Sequence, residues 1–116
     1  MSSYLQTGNT TMLLAGTTSS STTIVNPKSP TLQLFNTGTV PVFINVGSAS
    51  LPQTAPVVPS IGVTSSGYTL PPNVVVHLTT NGYRTGNITV QSIVSTGTAP
   101  VYITPVINIG DQDAVV

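Results

Sequence analysis

The sequence predicts an all-β chain: a single-domain antiparallel β-sandwich, immunoglobulin-like or jelly-roll, of seven to eight strands. Three observations predict it. Ten glycines and ten prolines are scattered through 116 residues, the punctuation of many short strands joined by turns. Several runs alternate apolar and polar side chains with the period of two that buries one face of a strand. One stretch also occurs twice, as FNTGTVPVFINVG at residues 35–47 and VSTGTAPVYITPV at residues 94–106.

In the two copies Gly38 corresponds to Gly97, Pro41 to Pro100, Phe43 to Tyr102 and Ile44 to Ile103. Each copy reads as a turn feeding a strand. Thr-Gly-Thr supplies a residue free to take a positive φ, and a proline is tolerated at the head of a strand. The copies are expected to form two equivalent β-hairpins, with Gly38, Gly97, Pro41 and Pro100 as structural turn residues. A β-branched replacement at either glycine is expected to lower the melting temperature by a comparable amount.

Residues 1–9 are polar apart from Tyr4 and Leu5 and are expected as an N-terminal arm, either a loose tail or a segment docking those two side chains on a neighbouring subunit. The sandwich is expected over residues 10–109. Its first strand falls at 10–15, although Met12, Leu13 and Leu14 form an apolar run, and a short second strand at 22–25. The two prolines of residues 26–30 mark a turn. A third strand follows at 31–36, with Leu32 and Leu34 facing one way, and a fourth ends at Val46-Gly47. Residues 48–60 hold Pro52, Pro56 and Pro59 and are expected to cross between sheets or project as a loop. A short edge strand is expected at 61–64. Tyr68-Thr69-Leu70 and a Pro71-Pro72-Asn73 corner lead to a strand at 74–80. There Val74, Val76 and Leu78 share one face, and Val75, His77 and Thr79 the other. Asn81-Gly82 is a strong two-residue turn signal. Strands at 87–94 and 99–109 complete the domain, and residues 110–116 read as a C-terminal tail.

Charge is the unusual quantity. Charged residues make up 3% of the chain, against roughly 25% in a typical soluble domain. The four are Lys28, Arg84, Asp111 and Asp113. Thr, Ser, Asn and Gln must build the surface instead. A domain of zero net charge lacks the self-repulsion that keeps proteins apart, so contact with copies of itself or with a larger assembly is expected. A homo-oligomer is expected, a trimer favoured, with Tyr4, Leu5, Val75 and His77 as candidate interface residues.

The same composition argues against several functions. Lys28 and Arg84 cannot supply the roughly 6–10 phosphate contacts of a nucleic-acid site, so no nucleic-acid partner is expected. No stretch approaches the roughly 20 apolar residues of a membrane helix, and none reads as a secretory signal, so no membrane partner is expected. The single histidine, His77, lies mid-strand, and both carboxylates are in the tail. General acid–base or triad chemistry therefore has no constellation to use, and no enzyme activity is expected. With no cysteine there is no thiolate zinc site. Asp111 and Asp113 fall short of the 6–8 oxygens calcium takes, so neither metal nor cofactor is expected. Tyr4, Tyr68, Tyr83, Tyr102, Phe35 and Phe43 keep a sugar-stacking surface as a rival reading, although Phe43 and Tyr102 sit at matched, structural positions.

Three pieces of this sequence carry a resemblance. They are residues 32–47 (LQLFNTGTVPVFINVG), the corner Leu70-Pro71-Pro72-Asn73 with its Val-rich strand, and Ser95-Thr96-Gly97 leading to Val101-Tyr102-Ile103-Thr104-Pro105. Together they resemble small virion proteins of tailed bacteriophages, the capsid decoration (cement) and head-associated accessory proteins. The likeness spans residues 10–106. It departs at Asn108-Ile109-Gly110-Asp111, where a glycine-rich finish would be expected. The resemblance implies a protein that binds the major capsid protein on the capsid exterior, as a trimer bridging capsomers, and braces the head against DNA pressure. Its alternatives are a head fibre base, neck or tail component, or a carbohydrate-binding adhesion module.

Overall fold

The computed structural model describes residues 2–24, 31–48, 55–62, 67–79 and 87–111. Alternation in the sequence becomes burial in the structure. Leu32 and Leu34 are fully buried, while Gln33 and Phe35 between them face the other way and are half-buried. Val42 and Ile44, Ile88 and Val90, and Val101 and Ile103 repeat the pattern. All eight meet Leu13, Ala15, Ile24, Leu70, Val94 and Ala99 in one core.

Nine strands are described: β1 (Ser2–Gln6), β2 (Thr11–Ala15), β3 (Ser20–Ile24), β4 (Thr31–Asn36), β5 (Val42–Ser48), β6 (Tyr68–Leu70), β7 (Val75–Thr79), β8 (Ile88–Ile93) and β9 (Ala99–Asp111). They form a five-stranded sheet in the order β1-β9-β4-β7, with β2 also on β9, and a four-stranded sheet in the order β3-β8-β5-β6. Every pairing is antiparallel, and no described residue is helical. The chain is an all-β sandwich.

Strand order decides between the two topologies left open by the sequence. β2 pairs with β9, β3 with β8, β4 with β7 and β5 with β6. These nested pairs amount to one long antiparallel ribbon, rolled up until β4 meets β9 and β5 meets β8. That is the jelly-roll order. Rolling is what lets a ribbon with one apolar face bury that face against itself.

The two matched segments are not hairpins. β4 and β5 lie in different sheets, and so do β8 and β9. Each Thr-Gly-Thr connection is therefore an arch carrying the chain from one sheet to the other. The reason is that the edges of β5 are taken by β8 and β6, and those of β4 by β9 and β7. The arches are the segments that close the roll. In the five-stranded sheet Phe35 stands opposite Tyr102. In the four-stranded sheet Phe43 stands opposite Ile93, one residue from the Val94 that strict two-fold pairing would select.

The ends of the chain also depart from expectation. Residues 2–6, expected as an arm, are a strand of the sheet, with Ser2 opposite Asp111, Ser3 opposite Gly110 and Gln6 opposite Val106. The tail expected from residue 110 accordingly begins as strand. Backbone hydrogen bonds join these polar segments, and side-chain periodicity does not report such bonds. β1 raises the count to nine. The edge strand expected at 61–64 is not found in its described part, where Ile61 and Gly62 form a turn. The connection from β5 to β6 stays within one sheet. The turns at 26–30 and at Asn81-Gly82 lie outside the described residues.

Proline at the middle of β9 is tolerated for a specific reason. The Pro105 carbonyl accepts the Thr7 N–H at 2.9 Å. A strand residue points its carbonyl and its N–H to the same side, so the N–H that Pro105 lacks falls at the break between β1 and β2. No ladder donor is lost there.

Candidate interaction surface

Three separated sequence motifs meet at one end of the sandwich. Asn36, the last residue of β4, is completely buried. Its Nδ2 donates to the Val40 carbonyl at 2.9 Å and the Leu70 carbonyl at 3.0 Å. Its Oδ1 accepts the Gly38 N–H at 2.9 Å. Its own carbonyl accepts the Asn73 N–H at 2.8 Å, and Asn73 takes the left-handed φ of 58° that makes the Pro-Pro-Asn corner. Thr37 then donates from both its N–H (2.9 Å) and its hydroxyl (3.0 Å) to the Pro100 carbonyl. The first arch, the corner and the second arch are thus knotted through one asparagine and its neighbour.

The turn residues divide by role. Gly97 has a φ of 70° with open space where a side chain would be. Gly38 is required by proximity: a Cβ there would lie 2.6 Å from the Ala99 Cβ and 2.9 Å from its Cα. Pro41 immediately precedes β5, and Pro100 is the second residue of β9 opposite Leu14.

Of the four candidate interface residues, two touch each other. Tyr4 from β1 and His77 from β7 stack with ring centroids 3.7 Å apart and planes 3° from parallel. His77 Nε2 also lies 3.2 Å from Gln33 Oε1. Burial holds the imidazole below its ordinary pKa, because charging it would strip water from the cation. Leu5 is exposed opposite Ile107, which is exposed as well. Beyond Val106, the last β9 residue opposite a described residue of β4, β1 and β9 continue to pair as far as Ser2 and Asp111. Val75 is exposed on the outer face of the five-stranded sheet.

That outer face carries an arrangement the sequence reading missed. Met12 pairs with Tyr102, Tyr102 with Phe35, and Phe35 with Val75. One apolar row therefore crosses four strands, β2-β9-β4-β7. Met12 is 52% exposed, Leu14 50%, Val75 46% and Tyr102 40%. With the half-buried Phe35 they form a patch on the order of 400 Å², within the roughly 300–600 Å² of the largest patch on a typical monomer, which is often functional. Beside it runs a polar row. Thr10 and Thr104 share a hydroxyl hydrogen bond of 2.7 Å, Thr104 pairs with Gln33, and Gln33 pairs with His77. The available signal was the Met12-Leu13-Leu14-Ala15 run, which is apolar on both faces of a strand.

On the opposite outer face one large side chain is covered by the chain itself. Phe43 points away from the core between Val42 and Ile44, yet it is 9% exposed. Pro56 is buried beside it, and both approach Gly67 closely: a Cβ on Gly67 would meet the Pro56 Cβ at 3.2 Å and the Phe43 Cβ at 3.4 Å. Phe43 and Tyr102, matched in the repeat, thus differ in the structure. One lies under the proline-rich segment, and the other stands open at the centre of the apolar row.

Among the described residues no three His, Cys, Asp or Glu side chains gather as metal ligands would. No helix of the described residues is long and apolar enough to cross a membrane. Comparison of the chain with protein families, with curated proteins and with solved structures finds no match.

Proposed function

We propose that this chain is a structural virion protein, a decoration or cement protein that binds the major capsid protein on the outside of a tailed-phage head and stabilises it. The observation that carries the reading is the uncharged exterior of a cross-tied sandwich. Lys28, Arg84, Asp111 and Asp113 are the whole charge of the chain, and no described side chain of the sheet faces is among them. Attachment through such a surface uses apolar contact and hydroxyl or amide hydrogen bonds. These lose little when the Debye length shrinks from about 8 Å at physiological ionic strength to about 3 Å at 1 M salt. Jelly rolls serve in viral capsids and also in lectins, so the fold favours this reading and its main rival alike. The rival, a carbohydrate-binding adhesion module, draws on the exposed rings of Tyr68 and Tyr102.

The test compares particles with and without the protein. Decorated capsids should release their DNA at a higher temperature than bare ones, and the protein should stay bound in molar NaCl. An unchanged release temperature, together with glycan binding by the isolated chain, would select the adhesion reading.

A further inference from the structure

We propose that the outer face of the five-stranded sheet is a self-association surface, on which a second copy of this chain packs face to face about a two-fold axis. This inference does not rest on the virion reading.

Four observations select the occupant. The chain covers Phe43, the large apolar side chain on the outward face of the four-stranded sheet, with its own Pro56 segment, and leaves the apolar row Met12-Tyr102-Phe35-Val75 open across the other. The open face carries no Asp, Glu, Lys or Arg among its described side chains. A partner with charged groups would lose their hydration against such a face and find no counter-charge. A second copy brings the same uncharged rows, so two-fold packing meets neither like-charge repulsion nor an unpaired ion. The area reaches the lower bound of a specific interface. The apolar row with its polar margin of Gln33, Thr104 and His77 contributes, from two copies, about 1,000 Å² in total, the threshold for a specific interface.

Geometry fits as well. Two sheets pack face to face about 10 Å apart with strands about 30° out of line. A row that crosses four strands then meets its symmetry mate over most of its length. The Tyr4–His77 stack closes the polar end of the face within each copy, leaving the apolar row as the part that remains open.

Sedimentation of the full chain at about 100 µM tests this. The parent should run as a dimer of 11.9 kDa chains. Met12→Glu combined with Val75→Glu places like charges on both halves of the row and should give a monomer with a cooperative melt. Thr23→Glu, exposed on the other sheet, should leave the dimer intact. Tyr102→Ala removes area without adding charge and should weaken the dimer at least tenfold, which serves if the double variant fails to fold. A monomeric parent would overturn the proposal. So would a trimer, or a dimer indifferent to both the double variant and Tyr102→Ala. A monomeric parent whose capsid binding is lost in the Met12/Val75 variant would assign the face to the capsid instead.

Discussion

Gly38 and Ala99 touch where the two arches stack, so closely that a single methyl on Gly38 would lie 2.6 Å from the Ala99 methyl. Ala99 follows the second Thr-Gly-Thr at the place Val40 holds after the first. The repeated sequence is therefore also an interface with itself: one copy leaves room, and the other fills it. Closing the roll depends on that contact, since β4 reaches β9 and β5 reaches β8 just on either side of it.

The two turn glycines should consequently respond unequally, contrary to the expectation from their matched sequence. Gly38→Ala forces apart two backbones and should cost about 3 kcal/mol, the upper range of overpacking. Gly97→Ala keeps open space around it and should cost about 1 kcal/mol, for the left-handed φ alone. Ala99→Gly in the Gly38→Ala background removes the closest contact but leaves the one to the Ala99 Cα, so it should restore part of the loss. Chemical denaturation of the three variants measures this. Equal losses for the two single variants would refute the division of roles.

Asn36→Ala should be among the most damaging single substitutions in the chain. It strips donors from the Val40 and Leu70 carbonyls and an acceptor from the Gly38 N–H, the latter two bonds buried and the first part-buried. Each buried polar group left unpaired costs about 1–3 kcal/mol, so the sum approaches the stability of a small domain. The check is circular dichroism on the purified variant, where a parent-like melt would show that the knot contributes little.

The sequence made the core legible because period-two alternation and burial share one cause. Leu32, Leu34, Val42, Ile44, Val101 and Ile103 could be assigned inward from pattern alone. Sheet membership could not be read this way. A Gly turn between two apolar strands looks the same whether the strands pair or face each other across a core. β1 was hidden because Ser2–Gln6 joins through its backbone. The Asn36 knot was hidden because its partners are carbonyls far along the chain, and the Tyr4–His77 stack because it joins β1 to β7 across the sheet. Val75 and His77 were visible as an outer face; that Met12 and Tyr102 extend it required the β2–β9–β4 register.

Ser92→Ala should be neutral or stabilising. The Ser92 hydroxyl is fully buried opposite Ile44 and has no hydrogen-bond partner among the described residues. Removing an unpaired buried hydroxyl relieves a penalty of about 1–3 kcal/mol, less whatever the small void costs. A melting temperature several degrees below the parent would mean that the hydroxyl has a partner after all.

The last prediction concerns pH. His77 lies between the Tyr4 ring from β1 and the Gln33 amide from β4, and burial lowers its pKa from the ordinary 6.5. The Tyr4 ring is in direct contact with the imidazole. In the unfolded chain the imidazole takes up a proton more readily than in the folded one, so each proton bound favours unfolding. The stability is fully present above the unfolded value of 6.5 and is lost as the pH falls through it. His77 is the chain's single histidine, and histidine is the side chain that ordinarily changes charge between about pH 5 and 8, so it should dominate the slope there. Urea midpoints should fall as the pH is lowered across that window, and His77→Gln should flatten the dependence. A midpoint that rises on acidification would mean the stacked, amide-bonded imidazole prefers its charged form, reversing the sign argued from burial.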